Sequence, residues 1–216
     1  MKSIFLSCLL LVSLGFSFAR QDDKAKQILD EVSQKTRAHK SISADFIFSM
    51  ENKMMAINEK SEGSIKLKGQ KYVVNLPEID IKIYSDGKTL WNYMGNGNQV
   101  TISNIEDGGS NLMDPSAVFT IYEQGFRSKF IGENKSASGV NYEIELYPDS
   151  NEFEVTKIQL LIGKADKMIK SAKLSGTDGN TYGIEIKKME TGSDLPDSFF
   201  VFNPADYKDV EIIDFR

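Results

Sequence analysis

The sequence predicts an α+β fold: one domain of about ten strands, mostly antiparallel, with two helices. Two observations carry that reading. Apolar residues recur at helical spacing in only two segments, near the start and in the middle of the chain. Elsewhere they alternate with polar residues, in runs punctuated by Gly, Asn, Asp and Pro turns. The chain has 216 residues and is 40% hydrophobic, long enough for one sizeable core.

The N-terminus reads as an address. Lys2 precedes an apolar run from Ile4 to Phe18, and Ser17-Phe18-Ala19 supplies small residues at a cleavage site before Arg20. Residues 1–19 are therefore expected to be a signal peptide, with residues 20–216 forming the single mature domain. The run is shorter than the ~20 residues of a spanning helix. No later segment reaches that length, so the mature protein is expected to be soluble. Cleavage removes Cys8, the only cysteine, and Lys2, leaving 25 basic residues against 31 acidic ones. An exported chain without thiols and with net negative charge is a poor partner for nucleic acid.

From Asp22 to Lys40 a helix is expected. Asp22 and Asp23 suit its first turn, and His39 and Lys40 its last. Ala25, Ile28, Leu29, Val32 and Thr36 fall on one face. The period then changes to two. Ile42, Ala44, Phe46, Phe48 and Met50 alternate with polar residues, as do Gly63, Ile65 and Leu67, then Tyr72, Val74 and Leu76, then Ile79, Ile81 and Ile83. Ser85-Asp86-Gly87-Lys88 and Gly95-Asn96-Gly97-Asn98 read as hairpin turns around the strand Thr89–Met94, and Gln99–Ser103 follows. Asp114-Pro115 starts a second helix, with Ala117, Val118, Ile121, Tyr122 and Phe126 on its apolar face. Strands resume at Phe126–Ile131, Val140–Tyr147, Glu152–Ile162, Met168–Ser175 and Thr181–Met189. Phe199-Phe200-Val201-Phe202 comes next, with a final strand around Val210 and Ile212.

Two helices cannot cover a sheet of this size. The sheet must close into a filled barrel, split into a sandwich, or keep a cavity. Catalytic constellations are missing. One His and no mature Cys exclude the common zinc sites and leave little for nucleophilic catalysis. Glu143 and Glu145 share a strand face and read as solvated charges. Gly95-Asn96-Gly97-Asn98 joins two strands and lacks the helix N-terminus of a phosphate loop. Asp178-Gly179-Asn180 lacks the further carboxylates of a calcium loop. The chain is read as a non-enzyme with no cofactor and no metal.

At Ser85-Asp86-Gly87-Lys88-Thr89-Leu90-Trp91-Asn92-Tyr93 the sequence resembles the periplasmic lipoprotein carriers of the LolA type. Ala44-Asp45-Phe46-Ile47-Phe48, the Gly63–Lys68 strand, the Asp114-Pro115 helix and Phe199-Phe200-Val201-Phe202-Asn203-Pro204 agree in order. The resemblance spans nearly the whole mature chain. It implies an unclosed antiparallel β-barrel with an α-helical lid over an apolar cavity. It further implies a monomeric periplasmic chaperone that shelters the acyl chains of lipoproteins. Such a chaperone receives cargo from an inner-membrane ABC release complex and passes it to an outer-membrane acceptor. A carrier of a different lipid, or a sensor domain binding a partner protein, would use the same fold. The cavity candidates are Phe46, Phe48, Ile65, Leu67, Tyr72, Val74, Ile81, Ile83, Trp91 and Tyr93. Leu90 is the alternative to Trp91, because alternation does not say which face points inward. The lid candidates are Ile28, Leu29, Val32, Val118, Ile121 and Tyr122. One departure stands out. Gly69 occupies the place of an Arg that, in the family, bonds to the lid and switches the cavity. Lys68 and Lys71 are the nearest replacements, without that residue's planar fork.

Overall fold

The computed structural model describes residues 13–105, 125–136, 139–150 and 153–216, with side chains from residue 22 onward. The second helix expected at Asp114-Pro115, with Val118, Ile121 and Tyr122, lies outside the described residues.

One helix, α1 (Ser13–Arg37), precedes a twelve-stranded sheet. It begins before the expected Asp22, because nothing from Phe16 to Ala25 breaks a helix, so Asp22 and Asp23 lie within it and do not cap it. It ends at Arg37, short of Lys40, with Lys35 and Arg37 in the last turn. Carbonyls of Gln34 and Thr36 accept from Ala38 and His39, tightening that end.

The strands are β1 (Ile42–Asn52), β2 (Ile57–Lys68), β3 (Lys71–Leu76), β4 (Ile81–Ser85), β5 (Thr89–Met94), β6 (Gln99–Asn104), β7 (Phe126–Ser136), β8 (Gly139–Pro148), β9 (Val155–Gly163), β10 (Ile169–Gly176), β11 (Thr181–Thr191) and β12 (Glu211–Asp214). Among the described residues twelve strands stand where about ten were expected. Their spatial order is β12-β6-β5-β4-β3-β2-β1-β11-β10-β9-β8-β7. Two meanders, β1–β6 and β7–β11, are joined where β1 pairs with β11. The sheet curls without closing, and among the described residues β12 and β7 are its edges. The pairings described are antiparallel except β12 on β6, which is parallel.

The turns follow their residues. Gly87 in the β4–β5 turn and Gly179 in the β10–β11 turn have φ of 90° and 82°, which glycine adopts without a Cβ clash. Asp86 Oδ1 accepts from the backbone of Lys88 and Thr89 and closes the β4–β5 turn. Gly95–Gly97 forms a 3-10 turn, and Asn98 takes the left-handed position.

Register sorts the side chains onto two faces. On the inner face Ile144 stands beside Leu160, Leu160 beside Ala172, Ala172 beside Ile184, and Ile184 beside Phe48. Ala44 continues the same face to Ile65, Val74 and Ile83. Two apolar clusters form there. Ala25, Ile28, Leu29 and Val32 of α1 pack with Phe126, Phe130, Ile144, Leu146, Ile158, Leu160 and Ile162 of β7–β9. Beside it, Ile42, Ala44, Phe46, Ile65, Leu67, Tyr72, Val74 and Met168 form a second cluster. A third lies on the outer face: Trp91, Val100 and Ile102 with Phe202, Tyr84, Tyr93, Tyr207 and Val210. The C-terminal segment after β11 thus straps the outer face.

Candidate functional site

The inner face of β1–β5 is the candidate site. Phe46, Ile65, Leu67, Tyr72 and Val74 are buried there, while Phe48, Leu76, Ile83, Leu90, Ile184, Ile186 and Met189 pack against them half-buried. The surface is aromatic and branched-aliphatic. Such a lining offers apolar contact without directional bonds, which suits a flexible hydrocarbon.

Gly63 shapes this face. It stands opposite Phe46 in the β1–β2 register. A Cβ on Gly63 would come within 2.6 Å of the Phe46 ring and 2.8 Å of Leu76. The absent side chain is what lets the ring lie flat across β2.

The sequence-based candidates divide. Phe46, Phe48, Ile65, Leu67, Tyr72, Val74 and Ile83 share the inner face, and Ile81 lies on the same side of β4 as Ile83. Trp91 and Tyr93 do not join them. The β4–β5 register sets Tyr84 against Trp91 and Ile83 against Asn92, so both aromatic residues point to the outer face. Tyr93 lies 4.3 Å from Tyr207 by ring centroids, and Phe202 stacks on Tyr207 at 4.7 Å. Leu90 takes the inner position. Ile184, Ile186 and Met189 of β11 join the same face, beyond the sequence-based candidates. Their alternation was visible, but a strand so late in the sequence gave no sign that it pairs with β1.

Ile28, Leu29 and Val32 cover the β7–β9 half of the inner face. Lys167 in the β9–β10 turn pins the helix, with Nζ 2.7 Å from Glu31. Lys24 Nζ sits 3.7 Å from the centre of the Phe130 ring.

Lys68 and Lys71 flank Gly69, whose φ of 62° fits glycine and would strain an Arg. Neither lysine is left for a lid. Lys68 Nζ donates to the Leu195 carbonyl at 2.7 Å and to Asp197 at 2.9 Å, and Lys71 Nζ lies 2.7 Å from the other Asp197 oxygen. The two ammonium groups hold the Asp197 carboxyl down at about 2. They fasten the start of the C-terminal strap, where Asp197–Phe200 forms a 3-10 turn and Phe200 is fully buried.

Tyr84 and Tyr207 fasten the strap further along, their hydroxyls 2.9 Å apart. Burial, then the bond to Tyr207, pushes the Tyr84 phenol up to about 12. Glu143 and Glu145 lie on the opposite side of β8 from Ile144. Glu145 accepts from Lys157 Nζ at 2.7 Å and from Tyr147, and Gln159 donates to Glu143 at 3.2 Å. Burial raises the Glu145 carboxyl, but the Lys157 and Tyr147 bonds outweigh it and the net shift is down. Glu145 therefore stays charged and paired with Lys157.

Residues 37–203 match the family model for the outer membrane lipoprotein carrier protein LolA. The chain belongs to the LolA family. The family is described as one of lipoprotein carriers. An uncharacterized protein of Methanocaldococcus jannaschii is 26% identical over 214 residues, 95% of this chain. The chain spans 59% of that relative's length. Among solved structures, an uncharacterized conserved protein from Thermus thermophilus superposes with a TM-score of 0.58 at 16% identity, over 88% of this chain and 99% of that one. The Pseudomonas aeruginosa MucA/MucB complex contains a chain that superposes with a TM-score of 0.52 at 12% identity, over 86% of this chain and 62% of that one. These likenesses show that the LolA-like fold is shared by distant sequences.

Proposed function

We propose that the inner face of β1–β5 shelters an acyl chain, and that the protein is a periplasmic carrier of acylated lipoproteins from the inner to the outer membrane. The observation that carries this reading is the apolar inner face that continues past α1, from Ile184 and Phe48 to Ile83 and Leu90. Among the described residues α1 is the one α-helix, and it packs on β7–β9. Membership of the LolA family supports the same reading.

Sheltering hydrocarbon gains ~0.8 kcal/mol per CH₂ removed from water. A carrier must gain that and still release its cargo, so its lining must not close around the chain as tightly as a core. Half-buried Phe48, Ile83, Leu90 and Met189 meet that need, since each keeps surface for a guest. An inner-membrane ABC complex would load the protein and an outer-membrane acceptor would unload it. Opening cannot use an Arg at position 69, and with Lys68 and Lys71 held by Asp197 it must proceed by another contact.

Native mass spectrometry of protein purified from the cell envelope tests the proposal. Co-purified acyl species support it. A protein that stays empty and takes up no lipidated peptide refutes it. A lipoprotein-release assay from spheroplasts then separates lipoprotein carriage from carriage of free lipid.

A further inference from the structure

Helix α1 carries two hydroxyls that the fold does not use. Ser33 is 3% exposed, and its Oγ is buried, as is Thr36 Oγ1. Among the described residues these are the buried side-chain polar atoms without a hydrogen-bond partner. Serine and threonine inside a helix commonly return a bond to a carbonyl one turn back, and neither does so here. A buried hydroxyl left unpaired destabilises the fold, and such a group in a native chain points to a partner outside it.

Thr36 lies on the face that α1 turns to the sheet, one turn after Val32. Ser33 stands beside it, one turn after Leu29, and its direction follows from its neighbours. Lys24 Nζ sits over the rings of Phe130 and Tyr142. Lys167, which binds Glu31, lies 4.8 Å from the centre of the Tyr142 ring. That flank of the helix therefore faces the row of Tyr142 and Ile162, next to the β9–β10 turn. Helical geometry puts Ser33 about 180° from Lys24 and about 200° from Glu31. It is turned away from that row, toward the one that runs from Ile144 through Leu160 and Ala172 to Ile184 and Phe48. Along the chain, Val32 belongs to the β7–β9 cluster, and Ile42, just past the helix, to the second one. The two hydroxyls thus stand at the seam between the clusters, where the candidate site begins.

Spacing and surroundings specify what completes them. Side chains three apart on a helix have Cβ atoms ~5–6 Å apart. One acceptor oxygen between them takes a hydrogen bond of ordinary length from each. Leu29 and Val32 beside them are apolar, and burying an anion in such surroundings costs far more than burying a carbonyl. The acceptor is therefore neutral. A lone water is a poor match, since buried waters usually make about three bonds and two donors are on offer. A carbonyl oxygen has two lone pairs, one for each hydroxyl.

We infer that Ser33 and Thr36 bind the ester carbonyl of an acyl chain, anchoring its head at the seam while its hydrocarbon extends over the inner face toward Ile83 and Leu90. The inference rests on the carrier reading and narrows it to chains that keep an ester carbonyl, as those of an acylglyceryl group do.

The test measures equilibrium binding of two lipopeptides to the purified protein, each below its aggregation concentration. One carries a dipalmitoylglyceryl cysteine. The other is its dihexadecyl ether counterpart, equal in chain length and without the carbonyls. Wild-type protein should bind the ester about tenfold more tightly, the scale of two hydrogen bonds to donors otherwise left unpaired. A Ser33→Ala, Thr36→Val variant should bind both alike, the loss falling on the ester. A Ser33→Thr, Thr36→Ser variant keeps both hydroxyls and should keep the preference. Without ligand, the Ala/Val variant should melt no lower than wild type, because the hydroxyls it lacks make no bond within the protein. Equal affinity of wild type for the two lipopeptides overturns the inference and leaves the carrier reading standing. So does an ester preference that survives loss of both hydroxyls, or a lower melting temperature of the empty Ala/Val variant. A wild type that binds neither lipopeptide overturns the carrier reading and the inference with it.

Discussion

Leu90 and Trp91 are neighbours in β5 and stand on opposite faces of the sheet, Leu90 against the Tyr72–Val74 cluster and Trp91 against Phe202. Function and stability separate along that line. Leu90→Arg should weaken binding of an acyl ligand at least tenfold with a small change in melting temperature, because Leu90 is half-buried at the edge of its cluster. Trp91→Ala should cost about 3–5 kcal/mol of stability, as for large aromatic residues cut out of a core. Ligand affinity of the folded fraction should stay the same. Thermal unfolding and fluorescent fatty-acid titration of both variants check the pair.

Gly63 and Phe46 should behave as one unit. Gly63→Ala puts a methyl where the Phe46 ring lies, and overpacking of this kind costs about 1–3 kcal/mol. Adding Phe46→Leu should recover part of the loss, giving a favourable coupling in a double-mutant cycle measured by urea unfolding.

The Asp197 contact predicts an acid dependence. Its folded value of about 2 lies below the ordinary 3.8, so its stabilisation is present above about pH 4 and is lost as pH falls toward 2. Asp197→Asn should speed amide hydrogen exchange in residues 195–204 at pH 6. At pH 2 variant and wild type should exchange alike. The carboxylate is exposed, so a modest, local effect is expected.

Tyr84 predicts the opposite limb. Its phenol titrates near 12 in the folded protein against 10 ordinarily, so its contribution is complete below pH 10 and disappears between 10 and 12. Tyr84→Phe should lose about 0.5–1.5 kcal/mol at neutral pH with the hydrogen bond to Tyr207. It should also show a shallower decline in melting temperature from pH 10 to 12.

Much of this fold is visible in the sequence because its strands are half-buried and alternate. Ile42–Met50 and Gly63–Leu67 announce both their period and their apolar face. Face, however, is relative. Leu90 and Trp91 are both apolar, and only pairing with β4 decides which of them shares a side with Ile83. Pairing between distant segments is likewise silent: nothing local in Ile184 or Ile186 says that they lie beside Phe48 and Phe46. The parallel seating of β12 on β6 depends on the strap, whose anchors Asp197 and Tyr207 meet partners over a hundred residues away. The C-terminal aromatic run was recognisable as a motif, but its role in covering Trp91 came from packing.

Whether the inner face of β1–β5 holds the acyl chain is tested most directly by photo-crosslinking. The probe is a lipidated peptide that carries a diazirine on its acyl chain, with adducts mapped by mass spectrometry. Adducts are expected at Phe46, Phe48, Ile83, Leu90 and Ile184, competed away by unlabelled lipopeptide. Competable adducts at Trp91, Phe202 or Tyr207 on the outer face, with none on the inner face, would contradict acyl binding on the inner face.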